Sequence, residues 1–348
     1  MAAILVRFEP ILPCQICRFG RCLSSGWDDQ MTRSANFNET TAIDVELAGD
    51  ILRVAIAGLP EIASRNATKA LAELRLNHEP FRDFLNLPPN GNPRINSCLL
   101  YPPFEPSADG TLFLASRFAY APYAGTALMA AATVLAEMRN LKRAAGQCRV
   151  KLLTAHGVMS VELNRTGNFV TQAKWFTAPP VMLIAEAELL MNAGDAIPVS
   201  LVDAGLPYLI VGADEMGLSL GDYSSLSNAA IELSAAAGKQ YPLSRLGNVE
   251  SYDTYLVMFF SQIADDHIKT VWVSDKGEVA NSAGGTGALS VLAACENSGR
   301  VAPGQSTRVE APGGVFECQI EGAQATVASD VRIIAEHKFR LGHPTLCQ

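Results

Sequence analysis

The sequence predicts an α+β protein of two pseudo-symmetric halves, each a curved sheet around a central buried helix, with a cleft between them. Three observations carry this. Strand-like segments outnumber helical ones along the chain. Two helices, opening near Ala124 and Gly284, are apolar on every side, and such a helix is buried. Both open on like turns, Ala124-Gly125-Thr126-Ala127-Leu128 and Gly284-Gly285-Thr286-Gly287-Ala288, of the form small-Gly-Thr-small-apolar. Gly125 and Gly285 lie 160 residues apart, about one domain length, so a duplicated half-domain is the economical reading.

Each element has its own justification. Residues 1–40 read as a leader, 41–178 as the first half, 179–325 as the second, and 326–348 as a segment returning to the first. Ala42–Leu47 and Leu52–Ala57 read as strands, the second alternating around Val54 and Ile56. A helix from about Arg65 to Arg75 places Ala67, Ala70, Leu71 and Leu74 on one side. Pro88–Pro93 is a loop of strong breakers. Cys98–Tyr101 and Thr111–Ala115 are strands, and the first Ala-rich helix runs to about Asn140. Val150–Leu153, Val158–Leu163 and Phe169–Trp175 complete this half. In the second, Pro198–Val202, Tyr208–Val211, Tyr255–Phe260 and Thr270–Val273 read as strands, with a short turn at Asp214–Leu218 and a helix at Ser225–Ala237. The second Ala-rich helix reaches about Cys295, and strands at Ser306–Glu310, Phe316–Ile320, Ala325–Ala328 and Arg332–Glu336 end the chain.

Composition narrows the function. The 348 residues are 49% hydrophobic and 18% charged, sparse in charge against the roughly 25% of ordinary soluble proteins, which excludes disorder. A net charge of −8 argues against a nucleic-acid partner, which needs clustered Lys and Arg. The most apolar stretch, Ala127–Met138, is closed by Glu137 and Arg139 and is too short to span a membrane, so the expected location is cytoplasmic. Met1–Gln30 has three Arg, no Lys and few acids, a faint likeness to an organellar presequence; a disordered leader, or a start at Met31, is the plainer reading. Eight scattered cysteines, three of them at Cys14, Cys17 and Cys22, have no metal-ligand spacing, so no metal and no cofactor is expected.

The glycine turns carry the chemistry. A helix N-terminus presents unpaired N–H groups and about half a positive charge. Two such ends across a cleft would grip a carboxylate, with Gly125 and Gly285 admitting the ligand and Thr126 and Thr286 donating hydroxyls. In the plainer reading Gly and Ala allow close packing and Thr caps its helix.

The order of these elements resembles the proline racemase and hydroxyproline epimerase family, which includes a 3-hydroxyproline dehydratase. The likeness runs from about Ala42 to Leu341 through Ala57-Gly58-Leu59-Pro60, Pro89-Asn90-Gly91-Asn92, Leu100-Tyr101-Pro102-Pro103, Ala119-Tyr120, Val202-Asp203-Ala204 and Ser282-Ala283-Gly284-Gly285-Thr286-Gly287. The resemblance implies a diaminopimelate epimerase-like fold, a homodimer and a small-molecule substrate. It also implies two catalytic cysteines, one at each helix start, the second replaced by Thr in the dehydratases. This sequence has Ala124 and Gly284 at those positions, Thr126 for the family's His and Ala280 for its Asp. Neither Ala nor Gly moves a proton, so two-thiol racemisation is not expected, and the lost polar contacts imply a larger or less polar substrate than proline.

Candidate catalytic groups are therefore Tyr123, Thr126, Asp203 and Thr286. Candidate substrate-binding residues are Ala124, Gly125, Thr126, Tyr208, Ser282, Gly284, Gly285 and Thr286. His156, Tyr252 and Asp253 are weaker candidates, Asp265-Asp266-His267 reads as a solvated loop, and Cys98 and Cys295 read as core. Three functions follow. One is a cofactor-free isomerase or lyase working by proton shift, dehydration or cyclisation, in a specialised biosynthetic pathway. The second is a catalytically inactive homologue that binds a ligand or a partner subunit. The third is a proline-type racemase or dehydratase with relocated groups.

Overall fold

The computed structural model describes residues 39–92, 95–117, 119–121, 123–138, 146–191, 194–246 and 254–340. In the first half, β1 (Glu39–Leu47) and β2 (Asp50–Ala57) form a hairpin. Two helices follow, α1 (Ala67–Asn77) and α2 (Glu79–Asn86), then β3 (Ile95–Tyr101), β4 (Gly110–Ala115) and the short β5 (Tyr120–Ala121). The buried helix α3 (Gly125–Met138) leads to β6 (Gly146–Thr154), β7 (Gly157–Thr166) and β8 (Phe169–Thr177). The second half runs β9 (Val181–Leu190), β10 (Ala196–Asp203), β11 (Pro207–Gly212), α4 (Tyr223–Gln240), β12 (Leu256–Ala264) and β13 (His267–Val273). Helix α5 (Gly285–Asn297) precedes β14 (Thr307–Ala311), β15 (Gly314–Glu321), β16 (Gln324–Asp330) and β17 (Arg332–Arg340).

The strand pairings repeat. One half is laddered β17-β1-β2-β3-β4-β6-β7-β8 and the other β9-β10-β11-β12-β13-β14-β15-β16. In both, the third and fifth junctions are parallel and the rest antiparallel. One antiparallel ladder, β8 on β16, joins them. Parallel junctions need a crossover, and α3 and α5 supply the equivalent ones, between β4 and β6 and between β13 and β14. The duplicated architecture expected from the two turns is therefore present.

The core explains the helix composition. Every residue of α3 from Gly125 to Ala136 is buried, so only small and apolar side chains fit inside the curved sheet. One apolar cluster surrounds α3 and α5 together, while separate clusters lie under α1 and α2 in one half and under α4 in the other. Full burial of each Leu or Met there contributes about 1.5–3 kcal/mol.

The sequence reading has no counterpart of α2: only Phe81, Phe84 and Leu85 mark its apolar side, and Arg82 and Asn86 are buried beside Leu85. Asn86 donates to the carbonyls of Arg82 (2.7 Å) and Ala115 (2.9 Å) and accepts from the Ser97 amide (3.1 Å). Strand β9 was likewise not read, since its exposure is irregular. The Asp265-Asp266-His267 loop is half corrected: the two acids precede β13, but His267 belongs to the strand, its Nε2 2.7 Å from Glu310. Strand β17 is anchored on β1 by the buried Asp44, which binds Arg53 through both oxygens (2.9 and 3.1 Å) and His337 (2.9 Å).

Candidate active site

The two turns open their helices with the same hydrogen bond. The carbonyl of Ala124 accepts from Leu128 N and that of Gly284 from Ala288 N, both at 3.0 Å, so each precedes the first residue of its helix. Gly284 has φ 64° and ψ 153°, a left-handed backbone that L side chains rarely adopt.

Trp175 dominates the space between these turns. It stands on β8 opposite Val327 of β16, on the ladder that joins the halves, and is 1% exposed. A Cβ added to Gly125 would lie 2.4 Å from its Cε3, and one added to Gly285 would lie 3.6 Å from its Cζ3. One edge of the indole thus packs on the opening glycine of the first helix and faces that of the second across room for one carbon. The sequence reading had these glycines opening the backbone to a ligand; here their α-carbons face the indole. The indole N–H has no hydrogen-bond partner among the described residues, a buried loss worth about 1–3 kcal/mol.

Beside the indole lies a cleft of about 200 Å³, lined by Tyr123, Thr177, Asp203, Gly205, Thr286 and Leu289 and by the linker Ala178-Pro179-Pro180 between the halves. Three of the four candidate catalytic residues, Tyr123, Asp203 and Thr286, meet there from different elements. The Tyr123 ring sits edge-on to Trp175 (6.1 Å) and to exposed His156 (5.6 Å). Burial raises its phenol, and the Thr177 hydroxyl partly offsets this. Asp203 accepts from the Gly205 amide at 2.7 Å, which fixes its carboxylate at the β10–β11 turn. The Thr286 hydroxyl is 2.8 Å from that of buried Tyr208.

Thr126 and Ser282 lie elsewhere. Both are buried and face Asp50, a residue that sequence reasoning missed. Burial pushes the Asp50 carboxyl up to about 6; the Ser282 and Thr126 hydroxyls pull it back, and Glu46 adds to the rise. The residue keeps some accessible surface, but its carboxyl is enclosed. Ser282 also accepts from the Gly284 amide at 3.1 Å. The turn before Asp50 packs on the second half: a Cβ on Gly49 would lie 2.7 Å from the Gly313 α-carbon. No local signal marks Asp50, because an acid after Gly in a hairpin turn normally reads as solvated.

The described cysteines, Cys98, Cys148, Cys295 and Cys318, are free and buried, and none stands at a helix start. Burial raises the Cys98 and Cys318 thiols and pushes Cys295 up to about 12, the opposite of an activated thiolate. Among the described residues no three His, Cys, Asp or Glu side chains are placed to hold a metal ion, and no helix is long and apolar enough to cross a membrane. Tyr252 and Asp253 lie outside the described residues.

Known proteins are similar to this chain in sequence and in fold. The 4-hydroxyproline 2-epimerase of Allorhizobium ampelinum is 25% identical over 270 residues, 76% of this chain and 77% of its own. The trans-3-hydroxy-L-proline dehydratase of Bacillus cereus is 23% identical over 261 residues, 73% of this chain and 77% of its own. A crystal structure of the hydroxyproline epimerase from Agrobacterium vitis, with bound trans-4-hydroxy-L-proline, superposes with a TM-score of 0.74, covering 88% of this chain and 94% of that one at 22% identity. The proline racemase profile matches residues 42–344 and so takes in both halves, both glycine turns and the cleft between them: the chain belongs to the proline racemase family.

Proposed function

We propose that this protein is a cofactor-free isomerase or lyase that moves a proton beside the carbonyl or carboxylate of a small compound, without the two thiols of a racemase. The observation that carries the reading is the convergence of Tyr123, Asp203 and Thr286 on one cleft at the start of α5. Asp203 supplies a carboxylate for proton transfer, Tyr123 a phenol that stays protonated, and Thr286 a hydroxyl beside the positive helix end, where an enolate or oxyanion is stabilised. The relatives named above are a 2-epimerase and a dehydratase of hydroxyprolines, which supports proton-shift isomerisation, dehydration or cyclisation as the class. Lining by Trp175, Leu289 and two prolines favours a substrate less polar than proline. A small-molecule substrate in specialised biosynthesis, a homodimeric assembly and a cytoplasmic setting complete the reading.

The indole packed between the helix starts favours a second reading, a catalytically inactive homologue that binds its ligand in the outer cleft. Incubation in deuterated water with amino, hydroxy and keto acids separates the two. An enzyme incorporates deuterium next to the carboxylate or carbonyl, and Asp203→Asn and Thr286→Ala lower the rate by about 10²-fold or more. Binding without exchange, unchanged by Tyr123→Phe, Asp203→Asn and Thr286→Ala, contradicts the catalytic reading.

A further inference from the structure

The two glycine turns meet on a single side chain. The Cε3–Cζ3 edge of Trp175 lies against Gly125, and the same atoms face Gly285 across a space that one added carbon would just fill. The indole is 1% exposed, projects from the ladder between the halves, and forms one wall of the cleft that holds Tyr123, Asp203 and Thr286. Its N–H is unpartnered among the described residues, although a buried Trp ordinarily finds an acceptor. The indole N–H of Trp272 is likewise unpartnered, so what distinguishes the Trp175 indole is its place. It occupies the space where two helix N-termini converge, the part of the molecule best suited to an anion.

We infer that Trp175 determines ligand size: its indole excludes a five-membered imino acid from between the helix starts and confines the substrate to the outer cleft beside Tyr123, Asp203 and Thr286. The inference rests on the reading of that cleft as the substrate site. Trp175 is here a specificity residue, and it takes no part in proton transfer. The ligand class is a small carboxylate or carbonyl compound with an apolar part that packs on the indole and on Leu289. Removal of the ring leaves a cavity bounded by the two glycines and Val327, and an apolar cavity of that kind binds small aromatic molecules.

The test compares the full-length wild type with Trp175→Ala and Trp175→Leu, using indole, L-proline and trans-4-hydroxy-L-proline as probes. Indole should raise the Tm of Trp175→Ala by about 5 °C and leave the wild type unmoved. Ligand-observed NMR should show both imino acids binding the variant at least about tenfold tighter than the wild type. Trp175→Leu, which keeps more of the packing, should show a smaller gain of the same sign. Equal imino-acid affinity in wild type and variants overturns the inference, and so does a folded variant that gains no ligand. Failure of both variants to fold even with indole assigns Trp175 to the core and also overturns it. Deuterium exchange by the wild type is read separately: gained binding in the variants without wild-type exchange removes the catalytic reading and leaves the role of Trp175 standing.

Discussion

At Gly125 one methyl group decides whether the first helix start and Trp175 can coexist. Gly125→Ala puts a carbon 2.4 Å from the indole, so ring or backbone must shift, and we expect a loss of about 1–3 kcal/mol in urea unfolding. The pseudo-equivalent Gly285 has room, its added carbon 3.6 Å from the ring; Gly285→Ala should be neutral or gain up to about 1 kcal/mol from helix propensity. At Gly284, a cysteine placed where the family has its second thiol meets open space but a φ of 64°, which adds strain of roughly 1–2 kcal/mol. Asp50 gives a pH signature. Its carboxyl rises from an ordinary 3.8 to about 6, so the folded state holds the proton more tightly than the unfolded state does. Stability from this group is therefore fully present below about pH 4 and is lost as pH climbs through 6. Asp50→Asn should flatten that loss, gaining up to about 3 kcal/mol on the wild type between pH 4 and pH 7 in unfolding titrations. The glycines were legible in the sequence as a repeated pattern. Trp175 and Asp50 were not, because a strand tryptophan reads as ordinary core and a turn aspartate as solvated. What sets them apart are contacts with residues 50 to more than 200 positions away in the chain.

Among the elements, β17 shows how a late strand is held in the first sheet. Asp44 binds both Arg53 and His337, while Arg53 also donates to the carbonyls of Leu85 (3.2 Å) and Asn90 (2.5 Å) and lies over the Phe339 ring at 4.9 Å. The group ties β1, β2, α2 and β17 together. A buried charge left without its partner is far more harmful than an exposed one, so Arg53→Met should destabilise by about 3–5 kcal/mol, measured by urea unfolding. The strands were readable from apolar runs and alternation, and α3 and α5 from their all-round apolarity. The same reasoning fails for α2, a two-turn helix whose apolar side is only Phe81, Phe84 and Leu85, with the hydrogen-bonding anchors Arg82 and Asn86 buried beside them.

Over the whole molecule, duplication of one half sets two helix starts against each other and places a cleft at the linker between the halves. The repeat made this architecture legible from five residues in each half. It did not show which side chain fills the junction, because β8, β16, α3 and α5 converge there only in the folded chain. The central claim is that chemistry in this cleft proceeds without thiols, and it makes Asp203 and Thr286 indispensable while leaving every cysteine dispensable. The most direct measurement is deuterium incorporation into a panel of small carboxylic and keto acids before and after alkylation of the folded protein with iodoacetamide. The account predicts exchange that survives alkylation and is lost in Asp203→Asn. Exchange abolished by alkylation, and unaffected by Asp203→Asn, would contradict it.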